Sequence, residues 1–329
     1  MSTSTPNPVL SASCDRALKL ALMLGFALTG AAAGCDSPAE FLEGDDLELR
    51  DCGNHCGVDF NTPYFYGNER FIEFDIAGGA HTNTEGHTVT FHSALHPSWG
   101  ALAPGELAVH TNGKLSHAGL PTGDPTGLTL AFTIDGQATK LRVATALERP
   151  DVGWVYEFEE VVNDEWVPLC EPDPYGDRSA YLYRDFTLVT NGPATGRIVD
   201  AYDMIQIACT SGAAGKATSF GFRPLIEDEM SQDMFEAALR AVRLDLCSDG
   251  TAYTVPGAEV AFNDMNGKVE SPLDTEGLIR EAIFDKWGAV CWDGALRPGA
   301  TAPSCELPLC DDWLTENASR SDLVETFIQ

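Results

Sequence analysis

The chain has 329 residues, 50 of them acidic against 20 Lys and Arg, and a formal net charge of −30. A chain so short of clustered Lys and Arg is not expected to bind nucleic acid, because phosphate neutralisation is what drives that binding. Its 44% hydrophobic content is ordinary for a globular protein, and the length allows one large core or two smaller ones.

In chain order, Arg16 and Lys19 precede a weakly polar run from Leu20 to Gly34 that is rich in Leu and Ala and ends in small residues before Cys35. This layout predicts a signal peptide over residues 1–34, since the run is shorter than the roughly 20 apolar residues of a permanent span. Ala32-Ala33-Gly34-Cys35 resembles a bacterial lipobox, with Ala32 where a branched residue is usual. The resemblance implies that Cys35 is acylated and becomes the new N-terminus. Ordinary cleavage near Ala33 is the alternative. An acylated Cys35 would anchor the protein to a membrane, facing the periplasm or the cell surface. Removal of residues 1–34, which carry Asp15, Arg16 and Lys19, takes away a net +1 and leaves −31. No later run is long and apolar enough to cross a bilayer.

Residues 35–60 are expected to be an acidic tether with a cysteine pair, Cys52 and Cys56. From Asp36 to Asp51 there are seven acidic residues and one Arg, too much charge to bury. An N-terminal β region is expected over 61–126. Ile72, Phe74 and Ile76 alternate with Glu73 and Asp75, the period of a half-buried strand, and Asn112-Gly113 marks a turn. Leu128, Leu130, Phe132 and Ile134 run into Asp135-Gly136, with Leu141 and Val143 beyond, a strong hairpin signal. Trp154, Tyr156 and Phe158 form a further strand that turns at Asn163-Asp164 into Trp166 and Val167.

Three helices are expected. Phe235, Leu239, Val242 and Leu246 make one apolar stripe with Ser231 as N-cap; a second helix runs from Asp274 through Ile283 and stops before Gly288; a third occupies the tail from Asp312 to Phe327. The fold class is therefore mainly β with a few helices (α+β), an antiparallel sandwich or mixed barrel stapled by disulfides.

Ten cysteines include Cys14 in the leader and Cys35 at the box. The remaining eight, Cys52, Cys56, Cys170, Cys209, Cys247, Cys291, Cys305 and Cys310, are disulfide candidates in an exported chain, although eight allow 105 pairings. Cys52 with Cys56, and Cys305 with Cys310, are close enough in sequence to close local loops. Cys52, His55 and Cys56 could contribute to a zinc site, but no second pair follows at finger spacing.

Five blocks occur in order: Trp166-Val167-Pro168-Leu169-Cys170, Ala208-Cys209-Thr210-Ser211-Gly212, Phe220-Gly221-Phe222-Arg223-Pro224, Leu244-Asp245-Leu246-Cys247-Ser248-Asp249-Gly250 and Gly288-Ala289-Val290-Cys291. Together they resemble the ADYC domain of exported bacterial proteins, often lipoproteins, over residues 127–300, with 301–329 as a C-terminal tail. Leu244 and Leu246 replace the Ala and Tyr of the family name, Phe235 stands where members often have His, and Ala217 where a Cys usually follows Gly-Lys. The resemblance implies an exported, cysteine-bearing fold and supplies no catalytic residue. Cys209 is expected to pair with Cys247, the two lying in neighbouring blocks on either side of a strand Phe220–Phe222. Cys247 would then staple the turn at Asp249-Gly250.

All seven histidines, His55, His81, His87, His92, His96, His110 and His117, precede residue 118. A Ser-His-Asp or Cys-His site confined to 127–300 is thereby excluded. His87, His92 and His96 are weak candidates for a metal site, since an odd offset along a strand turns His87 and His92 to opposite faces. Ser211-Gly212-Ala213-Ala214-Gly215-Lys216 resembles a phosphate loop but has Thr210 for the first Gly and Ala217 for the Mg²⁺-binding hydroxyl. Asp264 and Asn266-Gly267 read as a turn rather than a calcium loop. No cofactor is expected. The expected function is that of a lipid-anchored cell-envelope protein, a binding or structural module. The alternative is an envelope hydrolase using carboxylates or a histidine-bound metal.

Overall fold

The short alternating segments of the N-terminal half become strands. In the computed structural model they are β1 (Asp59–Phe60), β2 (Glu73–Asp75), β3 (Ala80–Thr82), β4 (Thr88–His96), β5 (Gly100–Leu102), β6 (Leu107–Val109), β7 (Leu115–His117), β8 (Thr129–Ile134) and β9 (Gln137–Arg149). The chain continues through β10 (Gly153–Val162), β11 (Glu165–Pro168), β12 (Ser179–Leu188), β13 (Ile198–Cys209), helix α1 (Ala213–Ser219) and helix α2 (Gln232–Arg243). It ends with β14 (Glu259–Asp264), β15 (Ile279–Asp285), β16 (Gly288–Trp292), helix α3 (Cys310–Asn317) and β17 (Val324–Ile328). The structure describes residues 59–329 except 69, 72, 118–122, 150–151, 224–230, 268, 270–276 and 318. The described residues belong to one unit, Leu47–Gln329. Cys35, Cys52, Cys56, His55, the leader and tether residues 35–58 lie outside them, as does Asp274, whereas the last two residues assigned to the tether, Asp59 and Phe60, form β1.

Ten strands form an antiparallel sheet in the order β2-β13-β12-β10-β9-β8-β4-β3, with β11 paired to β10 and β5 to β4. Asp135 and Gly136, at φ 51° and 80°, take the left-handed backbone of a two-residue turn and set the register Ile134 to Gln137. Asn163 and Asp164 do the same between β10 and β11. The sheet curls into a nearly closed barrel. Its end strands β2 and β3 meet through side chains rather than through a backbone ladder: His81 Nε2 lies 3.0 Å from Glu73 Oε1, and the Phe74 ring packs against Phe91 and Phe132 at 6.0 and 5.0 Å. The barrel interior holds the predicted alternating residues Leu128, Leu130, Phe132, Ile134, Trp154, Tyr156 and Phe158.

The opposite face of β10, β12 and β13 is not left to water. Val155, Tyr181, Tyr183 and Ala208 point outward into a second core with α1, α2 and one face of a five-stranded antiparallel sheet, β1-β14-β17-β15-β16. The far face of that sheet packs Ile283, Cys291 and Leu323 against Cys310, Trp313 and Leu314. The layers are thus barrel, helices, sheet and α3. Strands from both sides of residue 126 share the barrel, and β17 from the tail lies inside the second sheet.

Helix α2 starts as its sequence reading has it, with the Ser231 side chain accepting from Met234 N at 3.2 Å, but it ends at Arg243, so Leu246 of the apolar stripe lies beyond it. Two other helices differ from theirs. Residues 279–285 form β15, because Ala282 and Phe284 face the helical core while Ile283 faces α3, so this interior strand is buried on both sides and shows no alternation. An apolar run of that kind cannot be told from a buried helix by period alone. The tail is helical only over Cys310–Asn317, and Val324, Thr326 and Ile328 then alternate as β17 between β14 and β15. Phe220–Phe222 is not a strand: Phe220 caps α1 and Gly221 turns at φ 101°.

Among the described residues the disulfides are Cys170–Cys209, Cys247–Cys305 and Cys291–Cys310. The expected Cys209–Cys247 bond does not form, because Cys209 faces the barrel interior whereas Cys247 packs at the other core, beyond the barrel wall. Nor do Cys305 and Cys310 close a local loop. The segment between them runs from the turn after α2 to the end of β16, and each cysteine staples a different element. Replacing Cys247 with Ala is expected to lower stability by about 2–4 kcal/mol. The Cys247→Ala, Cys305→Ala double variant should melt close to either single variant, whereas adding Cys170→Ala should lower the melting temperature further. A double variant markedly less stable than both singles would break the assigned pairing.

Candidate functional site

Polar residues buried at the end of α2 organise the centre of the molecule. Glu236, Arg240 and Arg243 lie at i, i+4 and i+7 on the flank beside the apolar stripe, one position on from Phe235, Leu239 and Val242, and all three are buried. Glu236 meets Arg197 at 2.6 Å and accepts from Ile198 N at 2.8 Å. Arg240 pairs with Asp245, and its Nη2 donates to Pro193 O at 3.0 Å. Burial pushes the Asp245 carboxyl up, and Arg240 pulls it back. A third arginine, Arg297, donates through Nη2 to Ala241 O at 3.2 Å and through Nη1 to Val242 O at 3.3 Å, satisfying carbonyls that the helix end leaves open. Its charge is met by Glu281 at 2.6 Å.

The Leu244–Gly250 block wraps this end. Leu244 caps α2 in the left-handed region at φ 54°, and Asp245 N returns to Arg240 O at 2.9 Å. Cys247 ties the following turn to Cys305, and Thr251 N donates to the Asp249 side chain at 2.8 Å. Gly288 closes the arrangement, at φ 144°, where an added Cβ would lie 3.0 Å from Asp245 O and 2.5 Å from Ser248 Oγ. Two of the five sequence blocks therefore meet, and each residue's role there is to hold the helix end.

Beside it lies an open cleft of about 1010 Å³, lined by the segment 61–68, by Glu160 and 171–174 next to the barrel, and by Ser211, Lys216 and Arg243. The segment 64–66 is held by backbone bonds: Ala213 N donates to Tyr64 O at 2.8 Å, Ala214 N to Phe65 O at 3.0 Å and Cys209 N to Tyr66 O at 2.8 Å. Gly212 permits this approach, since a Cβ there would sit 2.4 Å from the Tyr66 carbonyl carbon. The loop resembling a phosphate cradle thus donates its Ala213 and Ala214 N–H groups to protein carbonyls.

Arg243 is 6% exposed, with Nε donating to Pro63 O at 3.0 Å, Nη2 to Gly250 O at 3.1 Å and its guanidinium 4.0 Å over the Phe65 ring. Burial pulls its pKa down to about 10, Asp245 opposing and Arg240 adding to the fall. Its Nη1 has no partner, and neither has Ser211 Oγ or Asn61 Nδ2 in the same cleft lining. Across the cleft Glu160 pairs with Arg70 at 3.2 Å, and burial raises its carboxyl.

The histidines are not brought together. His87 Nδ1 lies 2.7 Å from Asp135, His92 Nε2 lies 2.6 Å from Thr133 Oγ1, and His96 contacts Thr126 O at 3.1 Å while stacking on Trp99. They are strung along β4 and its approach, each engaged by a neighbour. Among the described residues no three His, Cys, Asp or Glu side chains gather as a metal-binding group. The Asp264 to Gly267 segment is a turn, with Gly267 N donating to Asp264 O at 3.2 Å.

These features define a disulfide-stapled β-barrel protein with a second sheet packed over a buried helix. The ADYC domain family matches residues 123–297, more than half of the chain, and the chain belongs to that family. No curated protein and no solved structure matches it. The matched span begins before β8 and ends at Arg297, so it includes Arg240, Asp245, Glu281 and Arg297 but omits β14's and β15's partner β17.

Asp245→Asn keeps the volume and removes the charge that neutralises Arg240. An expected loss of about 3–5 kcal/mol follows from leaving a buried guanidinium uncompensated. Chemical denaturation checks it, and a loss below about 1 kcal/mol would show that the pair does not hold the helix end.

Proposed function

We propose that the protein is an exported binding module of the bacterial cell envelope, held to a membrane by a lipid on Cys35, with the cleft beside Arg243 as its ligand site. The observation that carries the binding role is the coincidence of an open cleft with buried polar groups that lack partners, Arg243 Nη1, Ser211 Oγ and Asn61 Nδ2. Unpaired buried polar atoms cost free energy, so a fold that keeps several in one cleft lining is suited to a ligand that completes them. Export is supported by the leader-like run before Cys35 and by three disulfides, the usual fate of cysteines in an oxidising compartment. The acidic stretch from Asp36 to Asp51 suits a solvated tether between anchor and body.

Cell fractionation tests the anchor. The parent protein is expected with membranes, and Cys35→Ser is expected in a soluble fraction or with its leader uncleaved. Membrane association and processing identical to the parent would refute lipid attachment at Cys35.

A further inference from the structure

Three arginines among the described residues are buried, Arg240, Arg243 and Arg297. Two of them have a carboxylate of their own: Arg240 has Asp245, and Arg297 has Glu281 at 2.6 Å. Arg243 makes no ion pair among the described residues, and it is the one that lines the cleft. The Asp245 charge that acts on it is already engaged by Arg240. A guanidinium removed from water without a matching anion is costly, and Arg is well shaped to receive the two oxygens of a carboxylate.

Resting on the reading of the cleft as a ligand site, we propose that it takes the carboxylate end of a short peptide, with Arg243 as the anion-binding group and Ser211 and Asn61 as accompanying hydrogen-bond donors. The rest of the lining narrows the ligand class. Glu85, Glu160, Glu171 and Asp173 share the cleft, and the whole chain carries −30, so a ligand with several negative charges meets repulsion that a single carboxylate does not. The same acidic side suits a body that is neutral or basic. Pro63, Tyr64, Phe65 and Leu169 supply apolar and aromatic surface, and Tyr64 is 63% exposed and free to cover a bound chain. A peptide combines these properties: one terminal carboxylate, amide groups, and side chains of either neutral or basic character.

The test is equilibrium dialysis of the oxidised protein, residues 36–329, against an equimolar random tripeptide library with free carboxyl ends and against the same library amidated. Retained peptides are counted by mass spectrometry. Retention of free-carboxyl peptides at least tenfold above their amidated forms, lost in Arg243→Gln and reduced in Ser211→Ala, is the expected result. Should Arg243→Gln fail to fold, Ser211→Ala and the exposed Tyr64→Ala carry the comparison, and both are expected to weaken retention severalfold. Equal retention of the two libraries would overturn the carboxylate assignment while leaving a binding cleft in place. Retention of neither would overturn it together with the cleft as a ligand site. Thermal stabilisation by inorganic phosphate instead, abolished by Arg243→Gln or Ser211→Ala, would replace the peptide with a phosphate-bearing ligand and overturn the proposal.

Discussion

From Met234 to Arg243 helix α2 is covered on every side, and the rest of the molecule is arranged around that constraint. A helix with one apolar stripe normally turns its charged face to water. Here both faces are inside, the stripe of Phe235, Leu239 and Val242 together with Glu236, Arg240 and Arg243. Each buried charge therefore needs a counter-charge or a set of backbone acceptors brought from elsewhere. Arg197 comes from the residue just before β13, Asp245 from the loop after the helix, and Glu281 with Arg297 from the second sheet and its trailing loop. These long-range requirements fix where the second sheet sits relative to the barrel wall. They also account for the disulfide Cys247–Cys305, which joins the loop carrying Asp245 to the segment following Arg297.

The family blocks acquire a physical meaning in this frame. Leu244 reverses the chain in a left-handed cap, Asp245 neutralises Arg240, Leu246 fills the core and Cys247 staples the turn. Leu at 244 and 246 serves where the family name has Ala and Tyr because both side chains are fully buried in an apolar core. Ala217 is likewise buried on α1 within that core, and Cys209, facing the barrel, is joined to Cys170 across the end of the sheet. The fourth block and Gly288 of the fifth share one structural role, holding the end of α2. The functional candidate, Arg243, lies one residue before the fourth block, and its significance comes from what is missing around it.

Much of the fold was legible along the chain. Asp135-Gly136, Asn112-Gly113 and Asn163-Asp164 announced turns through residues that tolerate positive φ, and the alternating apolar residues around them marked the barrel interior. The Ser231 cap and the apolar stripe located α2. Strand β15 was misread because burial on both faces erases the period of two, and β17 because its five residues follow a helix that ends early. The cleft left no sequence signal: Asn61, Ser211 and Arg243 are separated by 150 and then 32 positions and belong to no common motif. A stripe of Glu236, Arg240 and Arg243 reads as a solvated face when no partner for it is known.

By itself the sequence determined the features that depend on neighbours a few residues apart: turns, the α2 cap, the alternating strands, the acidic character and the mainly β class. Local steric and hydrogen-bonding preferences suffice for these. Only the tertiary structure decided which cysteines pair, that the sheet curls until β2 meets β3, and which buried arginine lacks an anion. Those outcomes depend on which side of a barrel wall a side chain occupies, as Cys209 and Cys247 show. That placement follows from the packing of two sheets about one helix, which no short stretch of chain encodes.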